Sequence, residues 1–298
     1  MCSASDSGRR ALAAAGALAA ALALAGCAHN TAPQRADDET AVPELRVCAD
    51  PNNLPFSNER GEGFENAIAR LIAEDLGARL SYAWWPQRRG FVRNTLGAGR
   101  CDLVIGVPAR YELTATTRPY YRSTYVFVTR GGDVPGLQSF DDPRLRELRI
   151  GAHVVGDDYS SVPPVQALVA RHIVGNVYGY SIYGNYAEPD PPRRLIDAVA
   201  NGEVDVGLAW GPLAGYFAQR EPVALQVTPV APQRDAGGTP MYFDIAMGVR
   251  RGDLAWRERV QQALDRQQPR IEAVLSRYGV PMLPLPSAPQ SLAQQEAP

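Results

Sequence analysis

The sequence predicts an α/β fold in two lobes, each a mostly parallel sheet flanked by helices, and three observations carry that prediction. The first is the stretch Leu45–Phe56, LRVCADPNNLPF, in which a short β-rich run stops at Asp50-Pro51-Asn52-Asn53. Proline lacks the ladder donor and Asn and Asp favour turns, so a strand ends there in a polar turn before a helix. The second is the alternation of strand and helix patterns between Leu45 and Gly106, which implies right-handed crossovers and a parallel sheet. The third is an internal echo. Asn94–Asp102 leads into the run LVIG, and Asp197–Asp205 leads into VGLA; in each, a helix ends at Gly (Gly99, Gly202) and an Asp opens a strand three residues later. Two lobes of one β-α-β design account for that repetition. Ligands of open parallel sheets bind beyond the carboxyl ends of the strands, which places the working face at Asp50–Phe56.

The elements follow in order. Leu45–Ala49 is the first strand. Gly63–Leu76 is a helix, because Phe64, Ile68, Leu71 and Ile72 recur at helical spacing and Gly77 is a natural stop. Leu80, Tyr82 and Trp84 alternate as a strand that Pro86 ends. Arg88–Leu96 is expected to be helical, with Phe91, Val92, Thr95 and Leu96 inward, and 102–106 is a buried strand. Tyr125–Thr129 is a strand, Asp141–Leu148 a short helix, Arg149–Val155 a strand and Pro163–His172 a helix with proline at its start. Ile173–Tyr180 reads as a strand. Asp190 caps a helix opened by Pro191 and Pro192 and running to Ala200. Glu203–Ala209 is a buried strand, Pro212–Ala218 a helix, and Val223–Val230 and Tyr242–Val249 are strands. Asp253–Gln267 and Arg270–Tyr278 are expected as two helices divided at Pro269, and the tail from Pro281 as loosely ordered.

The bulk numbers set limits. The chain has 298 residues, 45% hydrophobic and 21% charged, with a formal net charge of -2, enough for two domains. It has no basic run, which argues against a nucleic-acid partner. Pro at 25 and Gly at 27 suggest many tight connections.

The N-terminus reads as a targeting segment over residues 1–26. Arg9-Arg10 is a basic region, Ala11–Ala25 an uncharged apolar run too short to span a bilayer, and Leu24-Ala25-Gly26-Cys27 a small-residue cleavage site followed by Cys. The last pattern resembles the bacterial lipobox, which implies cleavage before Cys27 and diacylation of its thiol, anchoring the protein on a membrane. An ordinary cleaved signal and a twin-arginine signal are the alternatives. Residues 27–43 would be the tether. Cys2 leaves with the signal, so Cys48 and Cys101 remain in an oxidising compartment. Even parity there favours a disulfide, with a pair of buried free thiols as the alternative.

Two α/β lobes, an exported lipoprotein and the LRVCADPNNLPF opening resemble the bacterial extracellular solute-binding proteins of family 3 that bind polar amino acids, with the type II periplasmic-binding-protein fold. The likeness covers Leu45 to about Tyr278. It implies a discontinuous N-terminal lobe (44–130 plus 240–280), a second lobe (131–239), a two-strand hinge and a flexible tail (281–298). A more specific likeness rests on CADPNNLPFSNERGEGFEN, WWPQRRGFVRNTLGAGRCD and GVPARYELTATTRPYYRSTYVFV. These blocks resemble the MxaJ/XoxJ-type accessory proteins of methanol oxidation. That group is associated with periplasmic quinoprotein alcohol dehydrogenases, which use pyrroloquinoline quinone (PQQ) with calcium or a lanthanide. The resemblance implies a non-enzymatic protein that binds no cofactor itself, with the dehydrogenase as partner. The alternative is the substrate-binding lipoprotein of an ABC importer for a small non-amino-acid solute.

Departures from the amino-acid binders agree with this. Those proteins follow the third strand with a Ser/Thr-x-x-x-Arg helix whose Arg clamps the ligand carboxylate; here the stretch is Gly106-Val-Pro-Ala-Arg-Tyr-Glu-Leu. They place an Asp after the last strand of the second lobe for the ligand ammonium; here it reads Trp210-Gly211-Pro212.

Candidate cleft residues are therefore Asn52, Asn53, Phe56, Trp85, Arg88, Val107, Tyr120, Tyr121, Asp158, Tyr159 and Trp210. Candidate partner-surface residues are Trp84, Trp85, Arg88, Arg89, Tyr183 and Tyr186, because aromatic and Arg side chains carry protein–protein hot spots. Each has a plainer reading: an Asx turn over a packed Phe56, one core Trp, solvated arginines, a helix cap at Asp158, and Tyr-rich packing in YGYSIYGNY. No metal-ligand spacing occurs. His29, His153 and His172 form no nucleophilic or His-x-x-x-His arrangement, so no catalytic residue is assigned.

Overall fold

The computed structural model describes residues 43–155, 160–182, 186 and 188–285. Its first sheet contains β1 (Glu44–Ala49), β2 (Arg79–Trp84) and β3 (Leu103–Pro108), with β1 parallel to both neighbours. β4 (Tyr121–Arg130) leaves this region. The second sheet centres on β5 (Ile150–Val155), parallel to β6 (Val177–Ser181) and to β7 (Val206–Trp210). β8 (Leu225–Pro229) pairs with β4, and β9 (Tyr242–Val249) returns antiparallel to β3. β4 is common to both sheets. Residues 121–124 pair with β9, and residues 125–130 pair with β7 and β8. The spatial order is β6-β5-β7-β4-β9-β3-β1-β2.

The helices cover these sheets where the apolar patterns require it. α1 (Phe64–Asp75) and α6 (Leu254–Arg277) pack together over Leu45, Val47, Leu103, Ile105 and Met247. The entry to α1 is tight: a Cβ at Gly63 would run into the Phe56 carbonyl. The short α2 (Phe91–Asn94) covers the opposite face through Phe91 and Val92. In the second half, successive residues of β4 point to opposite faces of the sheet, and both faces are buried. Tyr125 and Phe127 join Phe140, Ile150 and Leu168 of α3 (Pro163–Ala170). Val126 and Val128 join Leu195 and Val199 of α4 (Arg194–Ala200) and Leu213 and Phe217 of α5 (Gly211–Ala218).

The internal echo is a structural repeat. Gly99 and Gly202 both have left-handed φ, at 70° and 75°. The carboxylate of Asp102 then takes a bidentate guanidinium from Arg46 at 2.8 Å, and that of Asp205 takes one from Arg149 at 2.6 and 3.1 Å. Each Asp also donates its backbone N–H to the carbonyl of the same Arg. The two pairs have the same sequence separation, 56. The Arg thus stands at the start of the neighbouring parallel strand in both halves. The pairing holds the Asp carboxyls below the ordinary carboxylate range against the opposing effect of burial.

Several expectations are corrected. Residues 88–96 contain only the turn of helix at 91–94, because Gly90 caps it in the left-handed region (φ 89°) and Arg88 and Arg89 lie in the preceding bend. α6 runs unbroken through Pro269. Its apolar face, Val260, Leu264, Ile271 and Leu275, keeps helical phase across the proline. Arg266 and Arg270 tie both sides to Asp75 and Glu74 of α1, so tertiary packing outweighs the lost N–H. Asp190 makes no side-chain cap; a 3-10 turn over Pro191–Arg193 precedes α4. The short helix expected over Asp141–Leu148 is a 3-10 turn at Pro143–Arg146, capped by Asp142. Past Pro281, β10 (Met282–Leu283) pairs with β4, so the ordered chain extends beyond the expected start of the tail. Cys48 and Cys101 are bridged, with Cα atoms 5.4 Å apart, inside a cluster with Phe91, Val92, Leu96, Val104 and Val107.

Candidate functional site

The carboxyl end of β1 opens into a hairpin pairing Asn52 with Asn58 and Asn53 with Ser57. Asp50 anchors it. Its N–H donates to Ser57 Oγ at 3.1 Å, and the Ser57 hydroxyl returns a bond to the Asp50 carbonyl at 2.8 Å. The Asp50 side chain is buried and accepts three bonds: from the backbone N–H of Asn52 (2.8 Å) and of Gln87 (2.6 Å), and from the Tyr186 hydroxyl (2.6 Å). Tyr186 belongs to the second half of the molecule. Burial raises its phenol, and the Asp50 carboxylate adds to the rise by accepting its proton in a hydrogen bond. Asn52 Nδ2 also reaches the Glu188 carbonyl at 2.8 Å, and the Arg88 guanidinium lies over the Tyr186 ring, 5.1 Å from its centroid. These contacts close the two halves against each other along one side.

They enclose a cavity of about 350 Å³. One wall is aromatic. Tyr125, Trp210 and Phe243 meet edge to face at centroid distances of 5.3 to 6.4 Å, and Phe56 and Tyr121 continue the wall. Val107, Val162, Ile182, Leu213, Pro191 and Pro192 complete the apolar lining. Two carboxyls face this space, those of Asp50 and Glu65. Glu65 stands in the first turn of α1 and lies over Gly106 of β3, where any Cβ would meet its carboxyl. Among the described residues no hydrogen-bond donor is placed on its carboxyl. Burial pushes that carboxyl up to about 8, with the Asp50 charge adding to the rise. His153 closes another side; burial brings its imidazole down to about 4, so at neutral pH it is uncharged, with Nε2 3.3 Å from the Pro192 carbonyl. No arginine lines the cavity among the described residues.

Of the sequence-predicted cleft residues, the structure brings Asn52, Asn53, Phe56, Val107, Tyr121 and Trp210 together around the cavity. Tyr186, read as a partner-surface residue, is part of this wall. Tyr120 is corrected: it is fully buried, its hydroxyl donating to the Ile105 carbonyl at 3.1 Å, because adjacent residues at a strand start project to opposite sides. Trp85 does not line the cavity. It packs against the disulfide cluster, with the Arg100 guanidinium 5.1 Å from its ring centroid. Trp84 stacks on Tyr82 at 4.5 Å, and Arg88 and Arg89 are exposed beside the cavity mouth. Asp158, Tyr159, Tyr183 and Cys27 lie outside the described residues. Sequence reasoning missed Glu65, Gln87, Tyr125, His153 and Phe243 as cavity residues. Glu65 carried only the ordinary signature of an acid in the first turn of a helix.

Among the described residues no group of His, Cys, Asp and Glu is arranged to hold a metal ion, and no helix is long and apolar enough to cross a membrane. The amino-acid clamp is replaced locally. Arg110 is exposed outside the cavity, and the Trp210 ring lines it, as the sequence suggested.

Comparison with known proteins adds the following. The sequence pattern of the bacterial extracellular solute-binding proteins, family 3, matches residues 45–279. The chain is 35% identical over 293 residues to Protein MoxJ of Methylorubrum extorquens, covering 91% of this chain and 96% of that protein. The crystal structure of periplasmic binding protein XoxJ from Methylobacterium extorquens AM1 superposes with a TM-score of 0.68 at 36% identity, covering 81% of this chain and all of that one. That of MxaJ from Methlophaga aminisulfidivorans gives a TM-score of 0.68 at 26% identity over 80% of this chain and all of that one.

Proposed function

This chain belongs to the bacterial extracellular solute-binding proteins of family 3, and on that premise we propose that it is a non-enzymatic periplasmic accessory protein of a PQQ-dependent methanol or alcohol dehydrogenase, serving the maturation or activation of that enzyme. The observation that carries the reading is the likeness to MoxJ and XoxJ over nearly the whole chain. The site agrees with it. A fold whose relatives clamp amino acids between an Arg and an Asp here has a cavity with neither clamp among the described residues. In this reading the dehydrogenase is the partner that carries PQQ with calcium or a lanthanide. Diacylation at Cys27 would keep the protein on the membrane. Trp84, Trp85, Arg88 and Arg89 form the proposed docking face. The lobes are taken as 44–130 with 240–280, and 131–239, with β4 and the segment entering β9 as the hinge; the pairing of β4 with both sheets supports that division.

In cells lacking this chain and grown on an alcohol, the dehydrogenase is expected to accumulate with its activity per mole lowered several-fold, and wild-type protein should restore it. Unchanged activity per mole would contradict the role. A second reading, the receptor of an importer for a small non-amino-acid solute, draws on the ligand-sized cavity; it predicts impaired uptake in the same cells, with a fully active dehydrogenase.

A further inference from the structure

We propose that the cavity between the two halves is a binding site for a small organic cation, a protonated amine with a short apolar tail, its ammonium on the Glu65 carboxylate and its tail against the Tyr125–Trp210–Phe243 wall. The wall offers ring faces and edges in a recessed, largely apolar space. There a cation is attracted by ring quadrupoles more strongly than at a wet surface. The groups lining the space bring no positive charge: Asp50 and Glu65 are acids, His153 is neutral, and no arginine lines it among the described residues. Such a site disfavours carboxylates, and with them amino acids, while a bare cation is free to enter.

The two acids differ in what they have left to give. Asp50 already accepts Asn52 N–H, Gln87 N–H and the Tyr186 hydroxyl. Glu65 has no donor among the described residues, yet it is held in place, with Gly106 of β3 leaving room for its carboxyl. A partly buried acid with no donor from the protein can take one from a ligand, and an ammonium supplies it. The groups facing Glu65 are Asp50 from the end of β1, Tyr82 of β2, and Tyr120 and Tyr121 at the start of β4, and all of them favour its neutral form or leave it unchanged. A carboxyl that is neutral in the empty cavity ionises when the ammonium arrives, and the proton goes to solvent. This ligand class holds whether or not the chain engages a dehydrogenase.

The test uses three probes of matched shape, n-butylammonium, 1-butanol and butyrate, followed by calorimetry and by Trp210 fluorescence on the purified protein at pH 7. Butylammonium should bind at least about tenfold more tightly than butanol, and butyrate more weakly still. Measured in two buffers of different ionisation enthalpy, ammonium binding should release close to one proton. Glu65→Gln should lose roughly tenfold in ammonium affinity and abolish the proton release. Butanol binding as tightly as butylammonium, or no binding of any of the three, would overturn the assignment. The wild-type comparison stands even if the variant folds poorly, and neither outcome depends on the dehydrogenase being a partner.

Discussion

Replacing both Cys48 and Cys101 by Ala is expected to lower the unfolding free energy by about 4 kcal/mol and the melting temperature by roughly 10 °C. The bridge joins residues separated by 53 positions, so cutting it returns a long loop to the unfolded chain's freedom. Its surroundings add to the loss. The bridge lies among Phe91, Val92, Leu96, Val104 and Val107, and α2 is a single turn with little else to hold it over the sheet. Differential scanning calorimetry with and without a reductant checks this. Reductant should bring the wild type down to the level of the double variant and leave the variant where it is. A melting temperature within about 3 °C of the wild type would mean that the bridge contributes little.

The second large effect concerns Glu65. A carboxyl raised from 4.5 to about 8 binds a proton in the folded protein that the unfolded chain has released between those values. The unfolded state then binds fewer protons, so stability falls as pH rises, by about 1.4 kcal/mol per pH unit. Over the whole interval that is of order 4–5 kcal/mol. His153 acts in the opposite sense. With its imidazole lowered from 6.5 to about 4, the unfolded chain holds the extra proton and stability rises with pH across that range. The two slopes cancel between about pH 4.5 and 6.5, leaving a net fall of about 2 kcal/mol from pH 6.5 to 8. Asp75, Asp102, Asp205 and Asp235, all lowered by Arg partners, contribute stability that is lost only on the acid side. In Glu65→Gln the fall above pH 6.5 should be much reduced, and the rise due to His153 below it should stand uncovered. Urea unfolding at half-unit pH steps reads this directly. An unaltered wild-type slope in the variant would show that Glu65 is not the titrating group.

Much of this was legible in the sequence, for identifiable reasons. Strand ends at Asp50 and Trp210 are marked by proline, Asn and Gly, which act locally, so Asn52, Asn53, Phe56 and Trp210 were found. The repeat was legible from Gly99 and Gly202, because left-handed helix ends restrict residue choice strongly. Its Arg46 and Arg149 partners were not, because pairing across parallel strands leaves no short-range pattern. Tyr120 and Tyr121 are neighbours, and only the phase of β4 decides which faces the cavity. Tyr186 sits in a run of Tyr, Gly and Ser without periodicity, and its bond to Asp50 spans 136 positions. Pro269 misled because a proline signal is local and the apolar face that overrides it comes from packing on α1.

The most direct test of the dehydrogenase association is co-purification. Tagged protein, beginning at Ala28, would be exposed to periplasmic extract of cells grown on an alcohol, and the retained proteins identified. A quinoprotein alcohol dehydrogenase should be retained, and lost when Trp85 and Arg88 are both changed to Ala. Recovery of a permease complex from the membrane fraction without any dehydrogenase would contradict the accessory role and make the chain a solute receptor.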